Sequence, residues 1–158
     1  MDSGRVDIGQ FFQAREFRCR GWENLPKRKC CCRGAMLWDP RLIDILEIVR
    51  EEIYGGPVVV LNGHRCSAYN ESVNGWEQSY HLTGRAADIR HVDDEGGSSI
   101  QETAAAIGEV AADLLPMGLG NVLFYPHRHF IHVDTGPTRS DAKMVRISRG
   151  KPKVEGRH

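Results

Sequence analysis

Between Asp39 and Pro57, the apolar residues Leu42, Ile45, Leu46, Val49 and Ile53 recur at steps of one, three and four, which sets them on one face of an α-helix. Asp39 stands at the N-cap and Pro40 at the first helical position, where a missing N–H costs nothing; Gly55, Gly56 and Pro57 stop the run. The period then changes, and VVVLN at 58–62 predicts a buried strand. An irregular stretch rich in turn formers, GHRCSAYNESVNGWEQSY, leads into SYHLTGRAADIR. There, Ala86 to Arg90 predict a second strand with Ala86, Asp88 and Arg90 on one face and Ala87 and Ile89 on the other. One acid thus points off a core-like strand.

Further on, DDEGG reads as a turn, and Ser99 with Glu102 forms a capping box for a helix through Ile100, Ala104, Ile107, Ala111 and Leu114, ended by Pro116 and Gly118. NVLFY and FIHVDT predict two strands joined across PHRH, hence an antiparallel hairpin or neighbouring pair. Alternation in the second puts His132 and Asp134 on one face, with Ile131 and Val133 on the other.

A length of 158 residues fits one domain. With 21 basic and 21 acidic residues the formal charge is zero, which supplies no electrostatic argument for nucleic acid or a membrane surface as the main partner. No apolar run approaches the roughly 20 residues that span a bilayer. The start MDSGRVDIGQFF lacks a basic segment followed by an apolar one, so no export signal is visible and synthesis in the cytoplasm is expected. The polar, basic segment SDAKMVRISRGKPKVEGRH reads as a flexible or loosely docked tail.

Five cysteines, Cys19, Cys30, Cys31, Cys32 and Cys66, cannot all pair within one chain. Three readings stay open: structural thiols, reduced or partly paired; a disulfide tying the N-terminal segment to Cys66; and a second metal site. The first is preferred. For His81, Asp88 and His132, spacing alone also leaves two readings. They are a satisfied polar cluster, or the three protein ligands of a catalytic zinc site with an open position.

SYHLTGRAADI resembles the S-x-H-x-x-G-x-A-x-D signature of the zinc D-alanyl-D-alanine metallopeptidases, which cleave peptidoglycan and share their fold with the hedgehog signalling domain. LNGHRCSAYNESV is similar to the family's S-G-Y-R-x-x-x-x-N segment, GLGNVLFYP to its G-x-G-x-Y approach, and FIHVDTGPTR to the H-x-D-x-G strand of its small endopeptidase branch. The resemblance implies an α+β fold: a small antiparallel sheet carrying the zinc site, flanked by helices. It implies a peptidase domain over 17–139, between an N-terminal extension at 1–16 and a basic tail at 140–158.

By the same resemblance His81, Asp88 and His132 hold one Zn2+ per chain, and Arg65 binds a substrate carbonyl or carboxylate and steadies the oxyanion. An ion pair beneath the loop is the blander role for Arg65. The implied reaction is hydrolysis of a peptide bond in peptidoglycan stem peptides or crosslinks by a monomer acting on the cell wall, as in a phage enzyme released through a holin. Which bond is cut is not readable.

The chain departs from the family at three places. His64 stands where tyrosine is usual and Asn62 where serine is frequent. His129 occupies the position, three before the last histidine ligand, where the carboxypeptidase branch has an acidic general base. Two bases are therefore weighed: His129, favoured because imidazole titrates near neutrality, and Asp134, which fits better as the partner that orients His132. The missing acid also leaves room for a rival of another class, a zinc-binding but non-catalytic wall or virion module. Trp76, Tyr80 and Tyr125 are divided between lining a groove and filling the core.

Overall fold

The computed structural model describes residues 6–26, 32–91, 105–125, 130–137 and 146–147. The apolar stripe after Asp39 forms the main helix, α2 (Pro40–Ile48), following the short α1 (Gly21–Asn24). The Asp39 carboxylate accepts from the Arg41 backbone N–H at 3.0 Å, supplying one of the donors a helix start leaves over. The helix continues as a π-helical stretch, Val49–Tyr54, and stops at Gly55 with φ of 63°. Leu42, Ile45, Leu46 and Val49 are each 0% exposed, so the predicted face is the buried one.

That face covers a five-stranded sheet built from β1 (Val58–Asn62), β2 (Ala86–His91), β3 (Asn121–Tyr125), β4 (Phe130–Asp134) and β5 (Arg146–Ile147). Their spatial order is β1-β2-β4-β3-β5. Neighbours among the first four are antiparallel and the two-residue β5 runs parallel to β3. Ala87, Ile89, Val122, Ile131 and Val133 pack with the α2 stripe into one core that also takes in Ile107 and Leu114. The expectation of a buried strand at 58–62 is corrected: β1 lies at the sheet edge, and only Val60 is buried.

Register is shifted within β1, where Val60 faces Ile89 but Asn62 faces Asp88. Leu61 is the extra residue of a bulge, which turns Asn62 toward the face that carries Asp88. The segment before residue 17 packs into the same body: Phe12 and Ala14 are buried, and the Phe12 and Phe17 rings meet edge to face at 6.1 Å. Nearby, burial pushes the Cys19 thiol up to about 12, reinforced by Cys32 and opposed by the amides of Cys66 and Gly21.

Ser67–Ser72 forms α3 and Ala111–Leu114 forms α4. The helix ending in α4 is described from residue 105, so its expected Ser99–Glu102 cap lies outside the described residues. The same holds for Cys30 and Cys31, and for the C-terminal segment apart from β5. Among the described residues, no helix is long and apolar enough to cross a membrane.

Asp39 also ties α2 to the end of β4, accepting from Thr135 Oγ1 at 2.7 Å. Burial raises its carboxyl, but hydrogen bonds from Arg41 and Thr135 outweigh that and hold it below the usual carboxylate range. A depressed value stabilises the fold above 3.8, and the contribution disappears as pH falls through the folded-state value. Asp39→Ala is therefore expected to lower stability by about 1–2 kcal/mol at neutral pH. In urea titrations, its deficit relative to wild type should shrink as the pH is taken below 3.8.

Candidate metal centre

Pairing across the sheet sets Asn62 opposite Asp88, Asp88 opposite His132, and His132 opposite Leu123. Directly opposed residues of antiparallel strands share a face, so Asp88 and His132 lie side by side over the sheet. His81 arrives from a different element, the 3₁₀ turn Tyr80–Thr83 just before β2. Ser79 caps that turn, its Oγ accepting from the His81 N–H at 3.2 Å. Gly84 closes it with φ of +73°, a left-handed conformation in which a side chain would be strained.

The turn delivers the His81 ring to within reach of the pair. His81 Nε2 is 3.3 Å from Asp88 Oδ1, and His132 Nδ1 is 3.1 Å from the same oxygen. One ligand atom from each of the three residues lies within 4.8 Å of the others. All three side chains are buried, Asp88 and His81 completely.

The outer nitrogens explain how the rings are set. His81 Nδ1 is 2.7 Å from the Gly63 carbonyl, which can only accept, so Nδ1 carries a proton and Nε2 is the nitrogen that faces Asp88. Nε2 and the carboxylate oxygen then face each other at 3.3 Å, a spacing that a shared proton or a metal ion bridges. His132 is turned the other way: Nε2 donates to Asp134 Oδ2 at 2.8 Å, leaving Nδ1 toward Asp88. Two imidazole nitrogens and a carboxylate oxygen, with each imidazole's far N–H on an acceptor, match the donor set and support of a zinc site.

Asp134 is itself held firmly. Its Oδ1 accepts from Asn121 N at 3.1 Å, Asn121 Nδ2 at 2.9 Å and Gly136 N at 3.1 Å. Burial raises its carboxyl, but His132, Asn121 and Gly136 together bring it below the ordinary value. Burial likewise pulls His132 down, yet Asp134 and Asp88 outweigh it and raise the imidazole to about 9. A metal entering here therefore replaces a proton. Asn62 donates to Asp88 Oδ2 at 3.4 Å.

Arg65 lies next to this cluster in the hydrogen-bond network. Its backbone N–H donates to the His81 carbonyl at 3.0 Å, and Nη2 donates to Ser79 Oγ at 3.4 Å. Its side chain is buried under the loop, since a Cβ on Gly75 would lie 3.1 Å from Nη1. That loop walls a groove of about 570 Å³ lined by Ser67, Asn70, Asn74, Gly75, Trp76 and Leu82 among others. Trp76 thus lines a groove, whereas Tyr80 packs beside Gly136 and under the Arg85 guanidinium, 5.6 Å from the ring centroid. His64 is buried with Nδ1 against the His81 carbonyl at 3.2 Å, and desolvation lowers its pKa despite that contact.

His127, His129 and the Tyr125 side chain lie outside the described residues. Three contributors were missed in the sequence: the Gly63 carbonyl, Asn121, and Ser79 as the link between Arg65 and His81. A polar Asn121 opening an otherwise apolar strand was the one local signal among them.

Residues 11–134 match the family model described as Peptidase M15. The peptidoglycan L,D-endopeptidases MepK of Escherichia coli K12, Escherichia coli O157:H7 and Shigella flexneri are each 32% identical over 88 residues, covering 52% of this chain and 42% of the relative. The chain thus matches about two-fifths of the length of these relatives. No solved structure matches.

The Gly63 carbonyl is a test of how His81 is held. A Cβ at Gly63 would stand 2.7 Å from the Phe17 Cα, so backbone must move. Gly63→Ala is expected to cost about 1–3 kcal/mol of stability and, by releasing the His81 Nδ1 proton, about 10–100-fold in zinc affinity. Chelator competition and thermal melts measure the two effects separately. A lowered melting temperature with unchanged affinity would show that this carbonyl does not set the ring.

Proposed function

The chain belongs to the peptidase M15 family, and from that membership we propose that it is a zinc-dependent peptidase that hydrolyses a peptide bond in the stem peptides or crosslinks of peptidoglycan. The observation that carries this reading is the convergence of His81 Nε2, Asp88 Oδ1 and His132 Nδ1 in a buried cluster, with the outer imidazole nitrogens bonded to Gly63 O and Asp134. Relatives named L,D-endopeptidases make an L,D linkage the first bond to examine.

Zinc, when bound by these three residues, supplies Lewis acidity toward a carbonyl oxygen and toward water. Arg65 stays charged and donates in a planar fork, so from its place under the groove it holds a substrate carbonyl or carboxylate and offsets the negative charge that develops on oxygen. Asp134 keeps the proton on His132 Nε2. Three N–H donors on its other oxygen stabilise the charged form and make it a weak base, which suits a positioning residue. His129, three positions before His132, is the proposed general base. Its imidazole takes a proton from the attacking water as the new C–O bond forms and delivers it to the leaving amine nitrogen as the C–N bond breaks.

Digestion of purified peptidoglycan, followed by mass spectrometry, is expected to yield shortened or uncrosslinked stem peptides with intact glycan bonds. His81→Ala, Asp88→Ala and His132→Ala should each lose one equivalent of zinc and all activity. His129→Ala should slow turnover by on the order of 10²–10⁴-fold while keeping zinc, and Asp134→Asn by about 10–100-fold. The reverse order would move the base to Asp134. Zinc-loaded protein that cuts no stem peptide would assign the fold to wall binding instead.

A further inference from the structure

A second cluster includes Cys66, the residue that follows Arg65. The Sγ atoms of Cys19, Cys32 and Cys66 are within 4.8 Å of one another. Cys19 is fully buried, Cys66 is buried and Cys32 is half-buried. They come from separate stretches of chain. Cys19 follows the 3₁₀ turn Ala14–Phe17, Cys32 lies on the return segment that pairs with it through Cys19 N to Ala35 O at 2.9 Å, and Cys66 caps α3.

The surroundings are those of a sulfur site. The Cys66 N–H donates to Cys19 Sγ at 3.3 Å, and the Tyr69 N–H donates to Cys66 Sγ at 3.4 Å. Such amide donors orient sulfur and favour its anionic form. Trp22, Leu25, Ala68 and Tyr69 close an apolar shell around the thiols. A tetrahedral zinc with Zn–S bonds of about 2.3 Å holds its sulfurs roughly 3.8 Å apart. Small side-chain rotations would reach that spacing from the present one. A disulfide would use two of the three sulfurs and leave the third, whereas a thiophilic cation satisfies all of them.

We propose that Cys19, Cys32 and Cys66 bind a second, structural zinc ion that staples the N-terminal arm to the loop carrying Arg65. Binding releases the thiol protons and leaves three thiolates on the metal, three of the four ligands that a closed structural site takes. Because Cys66 directly follows Arg65, the staple fixes the backbone from which the guanidinium reaches Ser79. The proposal is independent of catalysis, since softness separates the two sites: thiolates here, imidazole and carboxylate at the other.

The full chain, purified under reducing conditions and loaded with cobalt(II) alone, distinguishes them. Thiolate ligands give an intense sulfur-to-cobalt charge-transfer band in the near ultraviolet, which a histidine and aspartate site lacks. Two cobalt ions per chain are expected, together with that band. Cys66→Ser should lose one ion and most of the band, while His81→Ala should lose the other ion and keep the band. Cys32→Ser, at the less buried position, should weaken the band even if Cys66→Ser does not fold. One ion with the band intact in the wild type would sink the histidine site and leave the cysteine site standing. No band in the cobalt-loaded wild type, or a band that survives both cysteine substitutions, would overturn the proposal.

Discussion

The antiparallel register that sets Asp88 against His132 is the constraint on which the rest of the structure depends. The same ladder sets Ala86 against Asp134 and Asn121 against Asp134, so one row of pairs brings the carboxylate and imidazole together and the next supplies the group that holds the imidazole. Side chains alternate with a period of two, so slipping β4 by a single residue would send His132 and Asp134 into the core and bring Ile131 and Val133 out. The core forbids that slip. Ala87, Ile89, Ile131 and Val133 fill the face under α2, and burying aliphatic side chains of this size is worth about 1.5–3 kcal/mol for each of the larger ones. Packing on one face thereby selects the polar constellation on the other.

That constellation is costly unless it is neutralised. Asp88 and Asp134 are both almost wholly buried on one face, with His132 between them, and a buried ion without compensation costs several kcal/mol. For Asp134 the compensation is local and complete, through Asn121, Gly136 and His132. For Asp88 it includes two imidazoles and the Asn62 amide brought in by the bulge in β1. With Nδ1 of His81 bonded to the Gly63 carbonyl and Nε2 of His132 to Asp134, His81 Nε2 and His132 Nδ1 both face one oxygen. A divalent cation entering there takes the place of the proton that Asp88 and Asp134 favour on His132.

Much of this was legible in the chain. The α2 stripe, the N-cap at Asp39, the alternation around Asp88 and the pairing of NVLFY with FIHVDT all rest on period and local chemistry, and the structure shows each of them. The convergence of His81 with Asp88 and His132 was not readable from period, because His81 lies in a 3₁₀ turn whose direction depends on Ser79 and Gly84. Residue identity says nothing about a backbone carbonyl either, and the role of Gly63 shows only in the fold, where Phe17 approaches so closely that a Cβ would force the backbone to move. The burial expected of 58–62 fails for a related reason: VVVLN is as apolar as a buried strand, and only sheet order shows that it lies at the edge. The cysteines were ambiguous because spacing along the chain does not reveal that Cys66 returns to Cys19 across a gap of 47 residues.

The central claim is that sheet register and two hydrogen bonds orient the histidines as opposite tautomers toward one metal. Long-range proton–nitrogen NMR correlation of the imidazole rings in zinc-loaded protein tests it most directly. The account predicts that His81 carries its proton on Nδ1 and binds through Nε2, while His132 carries its proton on Nε2 and binds through Nδ1. The same tautomer at both residues, or ring nitrogen shifts that do not move when zinc is added, would contradict it.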